Sequence, residues 1–93
     1  MKKSSRLTLS VAPNPLTDRT ATVRLTRTGS DMSEHLRVAL YNPLGDQVAL
    51  LHDARMIDGD LSLSLSTHGL PSGIYLLRAS TPLDAVTMTV TTW

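Results

Sequence analysis

The side chains of this chain that could do chemistry are few, and their spacing groups them poorly. Three histidines, His35, His52 and His68, stand far apart, with no cysteine beside them and no pair at i, i+4. They lack the usual ligand spacing of a zinc site and read as surface or turn histidines. Asp58-Gly59-Asp60 offers two carboxylates to a cation, but the longer calcium loop ending in Glu is missing. It reads instead as a tight turn in which Gly59 is free to take positive φ. Serine is plentiful, yet there is no Gly-x-Ser-x-Gly elbow, and Ser72 sits in a Pro-Ser-Gly turn with no base near it in sequence. Glu34 is the only glutamate, and the aspartates lie in or next to turns, poor material for a paired-carboxylate glycosidase. Gly45 and Gly59 are isolated glycines without a phosphate-binding pattern. The expectation is a protein that is not an enzyme and holds no cofactor or metal.

The segment Leu70-Pro71-Ser72-Gly73-Ile74-Tyr75-Leu76-Leu77-Arg78 is more informative, because it joins a proline/glycine turn to a strand opening on tyrosine. In immunoglobulin-like sandwiches a tyrosine near the start of the sixth strand buries its ring and returns its hydroxyl to backbone a few residues upstream. Tyr75 is placed for that role. Of the other aromatic residues, Tyr41 is expected to pack at a strand end. Trp93 is expected to cap the core or lie exposed, since a single exposed aromatic needs no special explanation.

These residues must be positioned by strands, since apolar residues alternate with polar ones at period two in segment after segment. Leu7, Leu9 and Val11 set the first run, Ala21, Val23 and Leu25 the second, Leu36, Val38 and Leu40 the third. Val48 and Leu50 make a shorter fourth. Leu61, Leu63 and Leu65 alternate with serines, one dry face and one wet. Ile74 to Ala79 is more continuously apolar, as a central strand buried on both faces would be. Val86, Met88 and Val90, interleaved with threonines, close the chain. Turn signals separate them: Pro13-Asn14-Pro15, Gly29-Ser30-Asp31, Asn42 to Asp46, Asp58 to Asp60, Gly69 to Gly73, and Pro82 with Asp84. Pro13 and Pro15 cannot donate ladder hydrogen bonds, so the first strand should stop there. Asn42 and Gly45 suit a hairpin connection that needs positive φ. Two stretches also fit helical spacing: Ser33 as a cap on Glu34 to Leu40, and Val48, Leu51, His52 and Arg55. The fold class expected is all-β, a seven-stranded antiparallel immunoglobulin-like or fibronectin-like β-sandwich over residues 7–93, with 1–6 a disordered segment or linker remnant.

With 93 residues the chain makes one domain, and with no Phe, one Trp and two Tyr its core must be aliphatic. Nine basic and eight acidic side chains leave a net charge of +1, scattered apart from Lys2, Lys3 and Arg6, which argues against a nucleic-acid surface. The absence of cysteine excludes disulfides and thiolate metal sites. Met1-Lys2-Lys3 imitates the start of a signal peptide, but the residues after it are too polar for its apolar core, and no run is long enough for a membrane-spanning helix.

Several landmarks then fall in order. Val11-Ala12-Pro13-Asn14-Pro15 follows the first strand, Leu40-Tyr41-Asn42-Pro43-Leu44-Gly45-Asp46-Gln47-Val48 joins the third and fourth, and Gly59 precedes the serine-leucine strand. Leu70-Pro71-Ser72-Gly73-Ile74-Tyr75 and a Thr/Val strand complete the set. From Leu7 to Thr92 the chain resembles the type A C-terminal sorting domain of the type IX secretion system of Bacteroidetes. The resemblance implies a domain at the end of a larger secreted protein, in the periplasm in transit to the outer-membrane surface or the exterior. It implies recognition by the type IX translocon and, usually, removal by a sortase-type protease, with the segment before Leu7 the natural region for cleavage. The passenger is absent here, so the chain reads as an excised domain or truncated reading frame, expected to be monomeric. The family commonly has Asp where Asn42 stands and a lysine about where Thr87 stands, whereas this chain has no lysine after Lys3.

Under this reading Pro13, Asn14, Pro15, Asn42, Gly45, Gly59, Leu70, Gly73 and Tyr75 are structural motif residues. Ala85–Thr92, with Val86, Thr87, Met88 and Val90, would meet the translocon through strand-edge groups. The rival reading is a fibronectin-like spacer, or an adhesive or carbohydrate-binding module, of a larger cell-surface protein.

Overall fold

The structure, a computed structural model, describes residues 6–28, 33–56 and 59–93. Met1 to Ser5, the Gly29-Ser30-Asp31 turn and Asp58 lie outside the described residues. Among the described residues there are seven strands and no helix: β1 (Arg6–Thr17), β2 (Thr20–Thr28), β3 (Glu34–Tyr41), β4 (Gln47–Met56), β5 (Gly59–Ser66), β6 (Gly73–Ser80) and β7 (Ala85–Thr92). Both stretches with helical spacing are strands, β3 and β4.

The strands form two antiparallel sheets, β1-β2-β5 and β4-β3-β6-β7. The chain changes sheet between β2 and β3, between β4 and β5, and between β5 and β6, the crossing pattern of an immunoglobulin-like sandwich. Period-two alternation turns Val23, Leu25 and Leu65 of one sheet toward Leu36, Val38, Leu40, Leu77 and Val90 of the other, and each is at most 1% exposed. Burying each such side chain contributes about 1.5–3 kcal/mol, so a core with no Phe is sufficient.

Tyr75 holds the corner at the entry to β6. Its ring is buried in the core, and its hydroxyl donates to the carbonyl oxygen of Pro71 at 2.5 Å. Tyr75→Phe removes that bond alone and is expected to cost about 1 kcal/mol in chemical denaturation. An unchanged midpoint would show that the bond contributes nothing to holding the corner.

Three local expectations are corrected. First, β1 does not stop at Pro13 but runs to Thr17. Only its ladder with β2 is interrupted: pairing halts at Ala12↔Thr22 and resumes at Thr17↔Thr20, because two prolines without N–H cannot ladder. Second, β4 extends well beyond Val48 and Leu50, and irregularities at Val38/Ala39 and Leu40/Tyr41 break the alternation that would have shown its length. Third, β6 is not buried on both faces. Tyr75, Leu77 and Ala79 point inward, while Ile74 and Leu76 are 57% and 40% exposed.

Candidate recognition surface

At one end of the sandwich the β3–β4 turn and the β5–β6 connection meet. Asn42 organises the first. Its side-chain oxygen accepts the N–H groups of Leu44 and Asp46, each at 3.0 Å, while its own N–H donates to Asp46 and its carbonyl accepts from Gly45, each at 2.9 Å. The positive φ that this turn requires falls on Gly45, at 93°. Asn42 therefore acts through an acceptor oxygen, which an aspartate would supply equally well. Asn42→Asp is expected to melt within about 0.5 kcal/mol of the parent, and Asn42→Ala to lose about 1–2 kcal/mol. Equal losses in the two variants would contradict the acceptor role.

The connection Leu70 to Tyr75 forms the other wall of a groove of about 330 Å³ with Asn42, Pro43, Leu44 and Val48. Two motif segments far apart in sequence thus become one feature, and Leu44 stands 88% exposed at its rim. Gly73 lies there at φ 153°, and Gly59 opens β5 at φ 140°, away from the groove on the strand paired with β2.

A residue that the sequence did not single out ties this end together. The β1–β2 turn has Asp18 and Arg19 at φ 51° and 61°, the doubly left-handed geometry of a two-residue hairpin turn. From it the Arg19 guanidinium reaches the carbonyls of Thr67 at 3.2 Å and Leu70 at 2.7 Å and the hydroxyl of Ser72 at 3.0 Å. The Arg19 carbonyl accepts the Thr67 N–H at 2.9 Å, and the buried Thr67 hydroxyl meets that of Thr92 at 2.7 Å. One side chain therefore links the first hairpin to the tyrosine corner, and Thr67 carries the link on to β7.

Asn14 works at the sheet edge. Its amide nitrogen donates to the carbonyl of Thr89 at 2.9 Å, and its amide oxygen accepts the N–H of Thr91 at 3.1 Å. Flanked by Pro13 and Pro15, it supplies from its side chain the donor and acceptor that the backbone there does not pair with β7. The edge of β7 is thus already engaged at its C-terminal half, and the edge offered to a partner is shorter than Ala85–Thr92. Along β7 the side chains alternate: Val86 and Met88 pack partly buried on the core, Val90 lies within it, and Thr87 is exposed.

Two polar residues face inward: Arg27, which the sequence does not single out, and His52, whose reading as a surface or turn histidine is corrected. Arg27 is 1% exposed at the end of β2 and donates to the Met56 carbonyl at 2.6 Å. His52, paired across from Val38, has a buried Nε2 with no hydrogen-bond partner among the described residues. His52→Leu removes an unsatisfied polar atom and is expected to raise stability by about 1 kcal/mol in a urea titration, whereas a loss would reveal a partner for that nitrogen. His35 lies on the opposite face of the same sheet, paired with Asp53. The His35 hydrogen bond, aided by the charges of His35, Arg37 and His52, holds the Asp53 carboxyl below its ordinary value. His68 is exposed beyond β5.

The molecule is thus an immunoglobulin-like sandwich in which most of the motif residues, Gly59 apart, meet at one end and along one edge, where Asn14, Asn42 and Tyr75 bind backbone through their side chains. A family model described as the secretion system C-terminal sorting domain matches residues 10–90, and the chain belongs to that family. No curated protein gives a significant match. The family is the sorting signal of type IX secretion and is not known as a catalytic one. A tail of this kind marks a secreted or cell-surface protein exported across the outer membrane.

Proposed function

We propose that this domain directs a passenger joined to its N-terminal side across the outer membrane, that the type IX translocon reads it at β7, and that a sortase-type protease then separates it before Leu7. The observation that carries this reading is the family match over residues 10–90, which spans β2 to β6 and most of β1 and β7. The geometry supports a particular part of β7. The Val90 side chain is in the core and Asn14 engages Thr89 and Thr91, which leaves Thr87 and the backbone around it as the accessible portion. Periplasm is the compartment in which the folded domain would meet the translocon.

The test is a fusion of the domain behind a fluorescent reporter in a type IX-competent host. Reporter at the cell surface or in the medium, cut at the junction, is the expected result. Reporter held in the periplasm with the intact domain attached would exclude the sorting role. Surface delivery without cutting would exclude the protease step alone.

A further inference from the structure

The two outer faces of the sandwich differ. Outward positions of β1, β2 and β5 are almost entirely short and polar, with Thr8, Ser10, Thr22, Ser62 and Ser64 as examples. The outer face of β4-β3-β6-β7 instead carries large apolar groups in register. One row across its four strands reads Leu50, Ala39, Arg78, Thr87, and the next reads Gln47, Tyr41, Leu76, Thr89. Leu50 and Leu76 are 48% and 40% exposed, while Ala39, the smallest side chain of the two rows, is only 1% exposed. The middle of this face is therefore a shallow depression with apolar walls, and a cavity of about 270 Å³ lies beside it against Tyr41, Gly45, Leu76, Arg78 and Thr87.

Charge decides what could fill it. Asp53 lies in the adjoining row and is committed to His35, and Arg37 is committed to Gln47. The exposed guanidinium of Arg78 stands in the central row with no hydrogen bond or ion pair among the described residues. A cation set among apolar side chains is complementary to a carboxylate flanked by apolar groups, and low local dielectric would strengthen that pairing on docking.

We infer that the outer face of β4-β3-β6-β7 docks an acidic, apolar-flanked segment of a partner protein, with Arg78 as the anchor and Tyr41, Leu50 and Leu76 as its apolar surround. A second copy is the poorer occupant, since face-to-face packing would bring one Arg78 toward the other. An anionic membrane would call for a cluster of free cations, whereas the other exposed arginine of this face without a partner among the described residues, Arg55, lies two rows away beside His35. The inference rests on the sorting reading for the partner's identity but not for its chemistry.

The probe is an acetylated peptide of alternating leucine and aspartate, titrated into the isotope-labelled domain and followed by amide chemical shifts. Shifts centred on Ala39, Leu76, Arg78 and Thr87 are expected. Arg78→Glu should weaken binding at least about tenfold with its melting temperature retained, and Arg24→Glu on the opposite face should not. A leucine-lysine peptide should not bind. Absence of shifts at millimolar peptide, shifts centred on β1-β2-β5, or equal affinity for Arg78→Glu would overturn the inference. So would concentration-dependent dimerisation through this face, or preferential binding to phosphatidylglycerol vesicles. In the reporter host, a parent domain that is not exported refutes the sorting role while the peptide result stands. A parent and an Arg78→Glu variant exported equally refute the docking face while the sorting role stands.

Discussion

Leu77→Ala is expected to lose about 3 kcal/mol of stability and roughly 10–20 °C in melting temperature, while Leu76→Ser beside it loses no more than about 0.5 kcal/mol. The two leucines are neighbours in β6 and opposite in environment. Leu77 is 0% exposed and pairs with inward Leu40 and partly buried Met88, whereas Leu76 is 40% exposed and pairs with Tyr41 and Thr89. Truncating Leu77 removes apolar contact in the middle of a four-stranded sheet and leaves a cavity that β3 and β7, fixed on either side, close only in part. Truncating Leu76 opens nothing. Differential scanning calorimetry on the two variants distinguishes them. Similar losses would mean that β6 is covered on both sides, and the exposed outer face, with the docking inferred for it, would have no basis.

Arg19→Ala is expected to cost about 2–3 kcal/mol, more than any other single polar substitution proposed for this domain. Hydrogen bonds from a charged donor contribute about 1.5–3 kcal/mol, but Arg19 is only half-buried, so the three do not add in full. Its loss strips the carbonyls of Thr67 and Leu70 and the hydroxyl of Ser72 of one donor at once. Arg19→Lys keeps the charge but not the fork, and it should recover less than half of the loss. Amide exchange supplies the decisive readout. Protection should fall around Leu70 and Gly73 before it falls in β2 or β3, and uniform loss across the domain would assign Arg19 a diffuse role.

The strands were legible because each run has one wet face and one dry face: Leu61, Leu63 and Leu65 show it by alternating with serine. The tyrosine corner was legible because proline, glycine and tyrosine stand at fixed offsets. What failed to show has a physical reason in each case. Arg19 is an ordinary arginine until a left-handed turn aims it at a connection 48 to 53 residues away. Asn14 reads in sequence as part of a turn because its neighbours are prolines, and only the approach of β7 makes its amide a stand-in for backbone. Arg27 sits at an inward position of a strand whose other inward residues are Ala21, Val23 and Leu25, so period two foretold its direction but not its burial. The apolar run of β6 reads in sequence as double burial, whereas Ile74 and Leu76 on one of its sides stand 57% and 40% exposed among the described residues.

The seam between β1 and β7 bears on how the domain would respond to force. Asn14 meets Thr89 and Thr91, and the turn after β1 reaches Thr67 beside Thr92, so the two terminal strands run the same way along one side of the sandwich. Tension applied at the two ends of the chain would load that seam in shear. The β1–β2 and β6–β7 ladders resist with rows of backbone bonds, whereas at Asn14 the seam is held by the two bonds of one amide. Under load the domain should therefore yield there first, β1 parting from β7 while both sheets stay intact. Two prolines and an asparagine would then act as a mechanical fuse between whatever precedes β1 and the last strand.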